Sequence, residues 1–236
     1  MSDITVSKES NNVSTPKKVL TLGYLGYGTG THEPFDQVFP NGVELEPSDI
    51  AAGADIDALV IWGGADISPS IYGHAVSTYT GATEHLSVRD RVEVNAAKFA
   101  ISRGIPILGI CRGAQLVCAL AGGFLIQHVN NHGISHPMTT DDGREIMTSS
   151  VHHQMMYPYD VEHKLIAWST NRRSDKYVVG DNSDYEPMHM HHEPEVVWFP
   201  TIKGLAIQGH PEFHRKPLTD PFVQYCMEVT RKYLEI

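Results

Sequence analysis

Short apolar runs alternate with stretches of helical periodicity along most of the chain. Val19–Leu25 reads as a first strand, Val43–Glu46 as a second, and Ala58-Leu59-Val60-Ile61-Trp62 as a strongly apolar third that stops at Gly63–Gly64. Val88, Val92, Ala96 and Phe99 recur at helical spacing, which predicts an amphipathic helix over 86–102 with Gly104 as its stop. Pro106–Ile110 reads as a buried strand, and a helix follows from Arg112 to about Leu120, closing at Gly122–Gly123. Between His128 and Asn182 the pattern breaks into short pieces, of which Leu165–Trp168 and Tyr177–Val179 look strand-like. Glu195–Phe199 and Gly204–Gln208 read as a closing hairpin. A last helix begins at Thr219 or Asp220, with Pro221 in its first turn and Phe222, Cys226, Val229 and Tyr233 along one side. Strands alternating with helices predict an α/β fold: a mostly parallel central sheet in a three-layer sandwich with helices on both faces.

Length and composition narrow the function. The 236 residues suit one α/β domain. Residues 1–17 are polar and lack the apolar core of a secretory signal, so they read as a disordered leader, with 18–236 as a single domain. The formal charge of −10, with no basic cluster beyond short pairs, argues against a nucleic-acid surface. No apolar run is long enough to span a bilayer. Three scattered cysteines, Cys111, Cys118 and Cys226, form no disulfide framework and suit a reducing cytoplasm. The glycine-rich stretch 26–30 does not match a dinucleotide fingerprint and reads as a flexible turn.

The chemistry concentrates at Gly109-Ile110-Cys111-Arg112-Gly113-Ala114-Gln115. A strand runs directly into the cysteine and a helix leaves directly after it. Glycines two residues to either side relieve a turn that holds the nucleophile in a strained backbone conformation. The start of the following helix favours negative charge on the sulfur, and the Arg112 N–H can point at an oxyanion. Gly204-Leu-Ala-Ile-Gln-Gly-His210-Pro-Glu212 supplies the partners. His210 ends an apolar strand, and Glu212 stands two residues on, where its carboxylate reaches the imidazole. Cys111, His210 and Glu212 are therefore the expected catalytic triad. His189, His191 and His192 lie close together, but without a further spaced ligand they read as a polar loop. No metal and no organic cofactor are expected.

With both segments read, the chain resembles the class I glutamine amidotransferase-like proteins, whose core carries a GxCxGxQ elbow and a late HPE. Within them it is most similar to the γ-glutamyl-γ-aminobutyrate hydrolase branch, the peptidase C26-like proteins. The supporting segments are Trp62-Gly63-Gly64-Ala65-Asp66-Ile67-Ser68-Pro69-Ser70-Ile71-Tyr72-Gly73, Arg89-Asp90 and Val151-His152-His153-Gln154. The resemblance implies a flavodoxin-like sheet and a cysteine hydrolase that cleaves γ-glutamyl amide bonds through a thioester. It implies a second oxyanion-hole N–H from Gly64 beside Arg112, and a γ-glutamyl pocket lined by Gln115, Ser150, His152 and His153. Asp90 and Glu93 read as a solvated helix face. In that branch an Asp-Gly-rich loop precedes the strand before HPE, whereas here 181–195 is rich in His, Met and acidic groups. The expectation is that this loop borders the leaving-group side of the pocket. Two other readings stay open: a glutaminase subunit that passes ammonia to a separate synthase chain, and a non-catalytic regulatory protein on the same scaffold.

Overall fold

The computed structural model describes residues 19–21, 42–185, 190–213 and 219–235. The leader, the glycine-rich turn and His189 lie outside them.

Nine strands form the main sheet. In chain order they are β1 (Val19–Thr21), β2 (Gly42–Glu44), β3 (Ala58–Ile61), β4 (Ile107–Ile110), β7 (His136–Thr140), β8 (Glu145–Thr148), β10 (Lys164–Ser169), β12 (Pro194–Phe199) and β13 (Gly204–Ile207). Two small ladders stand beside it, β5 (Phe124–Ile126) with β9 (Met155–Tyr157), and β6 (His128–Val129) with β11 (Tyr177–Val178). The order across the main sheet is β2-β1-β3-β4-β13-β12-β10-β7-β8. From β2 to β13 every neighbour is parallel; from β13 to β8 every neighbour is antiparallel.

The sheet is therefore mixed, and the expectation of a mostly parallel one is corrected. Parallel neighbours need a crossover of a dozen or more residues, usually a helix. The segment from β5 to β12 contains no α-helix among the described residues. The β7–β8 and β12–β13 links are turns of four residues, 141–144 and 200–203, so each chain segment must return antiparallel.

Alternation along the parallel strands supplies both cores. Leu59, Ile61, Ile107 and Ala206 face one side, under α2 (Val88–Ser102) and α3 (Arg112–Leu120). Ala58, Val60, Leu108, Ile110, Leu205 and Ile207 face the other, under α4 (Pro221–Leu234). Every residue of β3, β4 and β13 is buried, as expected for strands covered on both faces. Helix α1 (Pro47–Ala51) is a single exposed turn near the β2 edge. Asp220 caps α4 by accepting from Phe222 N and Val223 N, with Pro221 at the first position, as the sequence indicated.

Helix α2 departs from its predicted orientation. Val88 is 59% exposed, while Asp90, Glu93, Val94, Ala96, Ala97 and Ala100 are buried. Of the predicted apolar stripe, Ala96 is buried and Phe99 packs against the core, but Val88 is exposed and two carboxylates take inward places.

Candidate active site

Cys111 sits between β4 and α3 with φ 50° and ψ −105°, a backbone conformation costly for any residue with a side chain. The flanking glycines are forced by contact, each in a different way. A Cβ at Gly109 would stand 2.4 Å from the Gly113 carbonyl oxygen, inside the turn itself. A Cβ at Gly113 would stand 2.0 Å from the carbonyl oxygen of Ile61 on the neighbouring strand. The second glycine therefore lets the start of α3 press against the end of β3. Cys111 N donates to Ile207 O at 2.8 Å, which ties the elbow to β13, the strand that delivers His210.

His210 Nδ1 and Glu212 Oε1 are 2.7 Å apart. Ser149 Oγ donates to His210 O at 2.8 Å and accepts from His210 N at 2.9 Å, while Phe213 stacks on the ring with 4.2 Å between centroids. Nε2 has no hydrogen bond of normal geometry among the described residues. Burial lowers the ring's affinity for a proton, but the Cys111 sulfur and the Glu212 carboxylate outweigh it and push the His210 pKa up to about 10. Gly63 lies against both groups: a Cβ there would fall 2.8 Å from the imidazole Cε1 and 3.5 Å from Cys111 Cβ. Gln208 Nε2 donates to the Cys111 sulfur at 3.8 Å. The sequence reading passed over Gln208, which stands just past the end of β13 and two residues before His210.

A cavity of about 220 Å³ opens beside these groups, lined by Gly64, Asp66, Cys111, Gln115, His152, His153, Gln154, His210 and Phe213 among others. Gly64, Gln115, His152 and His153 thus line the same cavity as Cys111 and His210. Gln115 Nε2 donates to Gln154 O at 3.3 Å. Ser150 is not brought to the cavity: it is buried, with its hydroxyl donating to His132 O. Asp66 meets His153 Nε2 at 3.2 Å on the cavity wall. Burial raises the Asp66 carboxyl, yet His153, the Gly81 N–H and Thr80 outweigh it and hold it below its usual 3.8. Burial of His152 pushes that ring down to about 4, so it is neutral.

Behind the elbow lies a buried ionic network. Arg112 Nη2 donates to Asp90 Oδ1 at 2.5 Å, and its Nη1 pairs with Glu93 Oε2. Glu93 Oε1 accepts from Arg89 Nε at 2.8 Å. Arg89 Nη2 then donates to the carbonyls of Gly63 at 2.8 Å and Trp62 at 3.0 Å. Its guanidinium packs where a Gly64 Cβ would be, and Gly64 has φ 149°. The network thus joins the two segments expected to supply oxyanion N–H groups. Asp90 and Glu93 are only 2% and 0% exposed, which corrects their reading as a solvated face. A signal was present: Ser87-Val-Arg-Asp90 forms a capping box, in which Asp90 Oδ2 accepts from Ser87 N and Oγ.

The loop 181–195 does not border this cavity in its described part. His191 and His192 line a separate cleft with residues 169–172, and His192 stacks on Trp168. β12 begins two strands away from β4.

Across 32% of this chain and 39% of the relative's length, a protein of Lactococcus lactis subsp. cremoris, "Putative glutamine amidotransferase-like protein YvdE homolog", is 41% identical. The chain thus matches well under half of that relative. Among solved structures, the "putative gmp synthase subunit a protein" of Thermoplasma acidophilum superposes with a TM-score of 0.60 at 16% identity, covering 94% of each chain. The glutaminase domain of Trypanosoma brucei CTPS gives 0.55 at 14% identity, again over 94% of each. These structures share the α/β fold. No helix among the described residues is long and apolar enough to cross a membrane. The family model described as Peptidase C26 matches residues 43–166, more than half of the sequence and all of the Cys111 elbow, and the chain belongs to that class I glutamine amidotransferase-like family.

Proposed function

We propose that the chain is a cysteine-dependent hydrolase of γ-glutamyl amides, acting on glutamine or on a γ-glutamyl amine. The observation that carries this reading is the convergence of the strained Cys111 and the Glu212-bound His210 on one small cavity. The Cys111 sulfur, its proton already on His210, attacks the γ-carbonyl carbon. The N–H groups of Arg112 and Gly64 stabilise the oxyanion, each worth about 3–4 kcal/mol in comparable sites. His210, charged at neutral pH with a pKa of about 10, gives its proton to the departing amine. The neutral ring then takes a proton from water, and the hydroxide attacks the thioester and releases glutamate. Glu212 holds the ring's orientation throughout. The cavity is smaller than the roughly 300–1,000 Å³ typical of drug-sized ligands, in keeping with a small acyl group.

A second reading keeps the same chemistry but passes the ammonia to a separate synthase chain. It is favoured by the fold shared with the Thermoplasma acidophilum protein, described as a "putative gmp synthase subunit a protein". One assay separates the two. The purified chain alone is incubated with glutamine and a panel of γ-glutamyl amines, and glutamate and ammonia are followed. Turnover of the amines without any partner, lost in Cys111→Ser, is the expected result. Turnover that persists in Cys111→Ser overturns the reading. Glutaminase activity that appears only with a partner selects the second.

A further inference from the structure

Beside the Cys111 cavity, and apart from its chemistry, His132, His136, His152, Glu193 and Glu195 are buried together. Glu193 is well satisfied. It accepts from Arg173 N at 2.7 Å, Ser174 N at 2.9 Å and the Tyr177 hydroxyl at 2.7 Å. The centre of the cluster is not. Among the described residues, His152 Nε2, both ring nitrogens of His132 and Glu195 Oε2 are buried without a hydrogen-bond partner.

The tautomers sharpen the problem. His152 Nδ1 lies 2.8 Å from the Gln154 carbonyl oxygen and must donate to it, so in a neutral ring Nε2 carries a lone pair. That lone pair faces Glu195 Oε1 at 3.9 Å, an acceptor opposite an acceptor. His132 Nε2 lies 3.1 Å from Glu193 Oε2, off the line of a good hydrogen bond, and its Nδ1 lies 3.6 Å from Glu195 Oε1. With the Nε2 proton held toward Glu193, Nδ1 is the nitrogen that faces Glu195. The Glu195 carboxylate thus has one firm donor, His136 Nε2 at 2.8 Å from Oε1, while Oε2 and the facing nitrogens of His132 and His152 converge without a hydrogen bond among the described residues. Buried acceptors left in that state are costly.

The geometry points to a binding site for one divalent transition-metal ion, zinc by its donor set, held by His132 Nδ1, His152 Nε2 and the Glu195 carboxylate. One donor atom from each of the three residues lies within 4.8 Å of the other two, with Glu195 Oε1 3.6 Å from His132 Nδ1 and 3.9 Å from His152 Nε2. Ligands around a tetrahedral zinc, at about 2.0–2.1 Å from the metal, stand about 3.4 Å apart. A movement of about an ångström closes the cluster onto the ion. Two imidazoles and a carboxylate leave a fourth position for water. Glu193 then serves as the carboxylate that orients His132, the arrangement commonly found behind metal-bound imidazoles. The ligands come from three parts of the chain: the turn before β7, the 149–154 segment that walls the cavity, and the start of β12. A bound ion would pin that wall to the sheet. The sequence alone gives no reason to look here, because the donors are 20 and 43 residues apart along the chain.

The test is metal analysis of the full-length protein. It is incubated with zinc, dialysed against metal-free buffer, and its zinc content is measured per chain, with the shift of thermal midpoint on adding zinc to EDTA-treated protein as a second readout. About one zinc per chain and an upward shift are expected. Glu195→Gln should lose stoichiometric binding, and Glu193→Gln should weaken it by roughly 10–100-fold. Cys111→Ser and the double change His191→Ala/His192→Ala should keep it. No retained zinc and no thermal shift in the unchanged protein would overturn the proposal and leave protons as the balancing charge. So would loss of the zinc in Cys111→Ser, which would place the ion on the Cys111–His210 pair. Loss in the His191/His192 variant would place it on the surface and overturn the proposal equally.

Discussion

Two buried ionic clusters flank the Cys111 elbow, and they are completed in different ways. Behind the elbow, Arg89, Arg112, Asp90 and Glu93 bring two positive and two negative charges together, and no buried atom of these four side chains is left without a partner. Beside the cavity, two glutamates meet three histidines, and several nitrogens and one carboxylate oxygen stay unpaired. The first is closed by the chain's own side chains. The second is complete only with something added. The difference teaches what each can do: a closed, neutral network fixes backbone positions, whereas an open one is built to receive a cation.

The largest difference should appear in stability. Glu93→Gln takes a carboxylate from Arg89 and one of two from the buried Arg112, and a loss of about 3–5 kcal/mol is expected. Glu195→Gln, measured in EDTA, removes a partner from a cluster already incomplete and should cost only about 1–3 kcal/mol. Urea unfolding of both variants gives the two figures. Equal losses would erase the contrast.

Next comes the elbow's dependence on close approach rather than on charge. Gly113→Ala leaves every ionic group in place but drives a Cβ toward the Ile61 carbonyl oxygen. It should lower kcat/KM by at least about 100-fold, the scale of a misplacement near 1 Å. Full activity would show that the α3 start has room to move.

A smaller effect is expected at Arg89. Arg89→Lys keeps the charge but cannot hold Glu93 and the Trp62 and Gly63 carbonyls at once. A drop in kcat/KM of about tenfold, equal to about 1.4 kcal/mol, with KM little changed, identifies a positioning role for the oxyanion segment. An equal rise in KM with kcat constant would instead tie Arg89 to substrate binding.

The smallest effect near neutrality concerns pH. The His210 pKa is raised, so its stabilising contribution is fully present below the unfolded value of about 6.5 and is lost as pH rises through about 10. Proton donation to the leaving amine should fade over the same alkaline interval, giving kcat a falling limb there. In Glu212→Gln that limb should move to lower pH, since one of the two groups that raise the ring is removed. An unmoved limb would assign the titration to another group.

The legible parts of the molecule were those whose physics is local. Gly109-x-Cys111-x-Gly113 between a strand and a helix carries its geometry in adjacent residues, as does His210-Pro-Glu212. The parallel strands were readable because burial on both faces leaves continuous apolar runs such as Ala58–Ile61. In the antiparallel half, β10 and the β12–β13 hairpin were readable, whereas β7 and β8 were not, because they are short and half polar and the pattern does not say which strands meet. Asp90 and Glu93 were misread because a charged position on a helix looks solvated until Arg112, some 20 residues later, is known to lie against it. The histidine cluster escaped for the same reason, its members being brought together only by tertiary structure. The adjacent His191 and His192 drew attention and lie elsewhere.

The central claim is that Cys111 forms a thioester with a γ-glutamyl group. Acid quench of the purified protein during turnover of a γ-glutamyl amide, followed by intact-mass and peptide analysis, reads it directly. The account predicts one γ-glutamyl increment per chain, carried on the Cys111 peptide and absent in Cys111→Ser. Turnover with no adduct on Cys111 in a rapidly quenched sample, together with retained activity in Cys111→Ser, would contradict it.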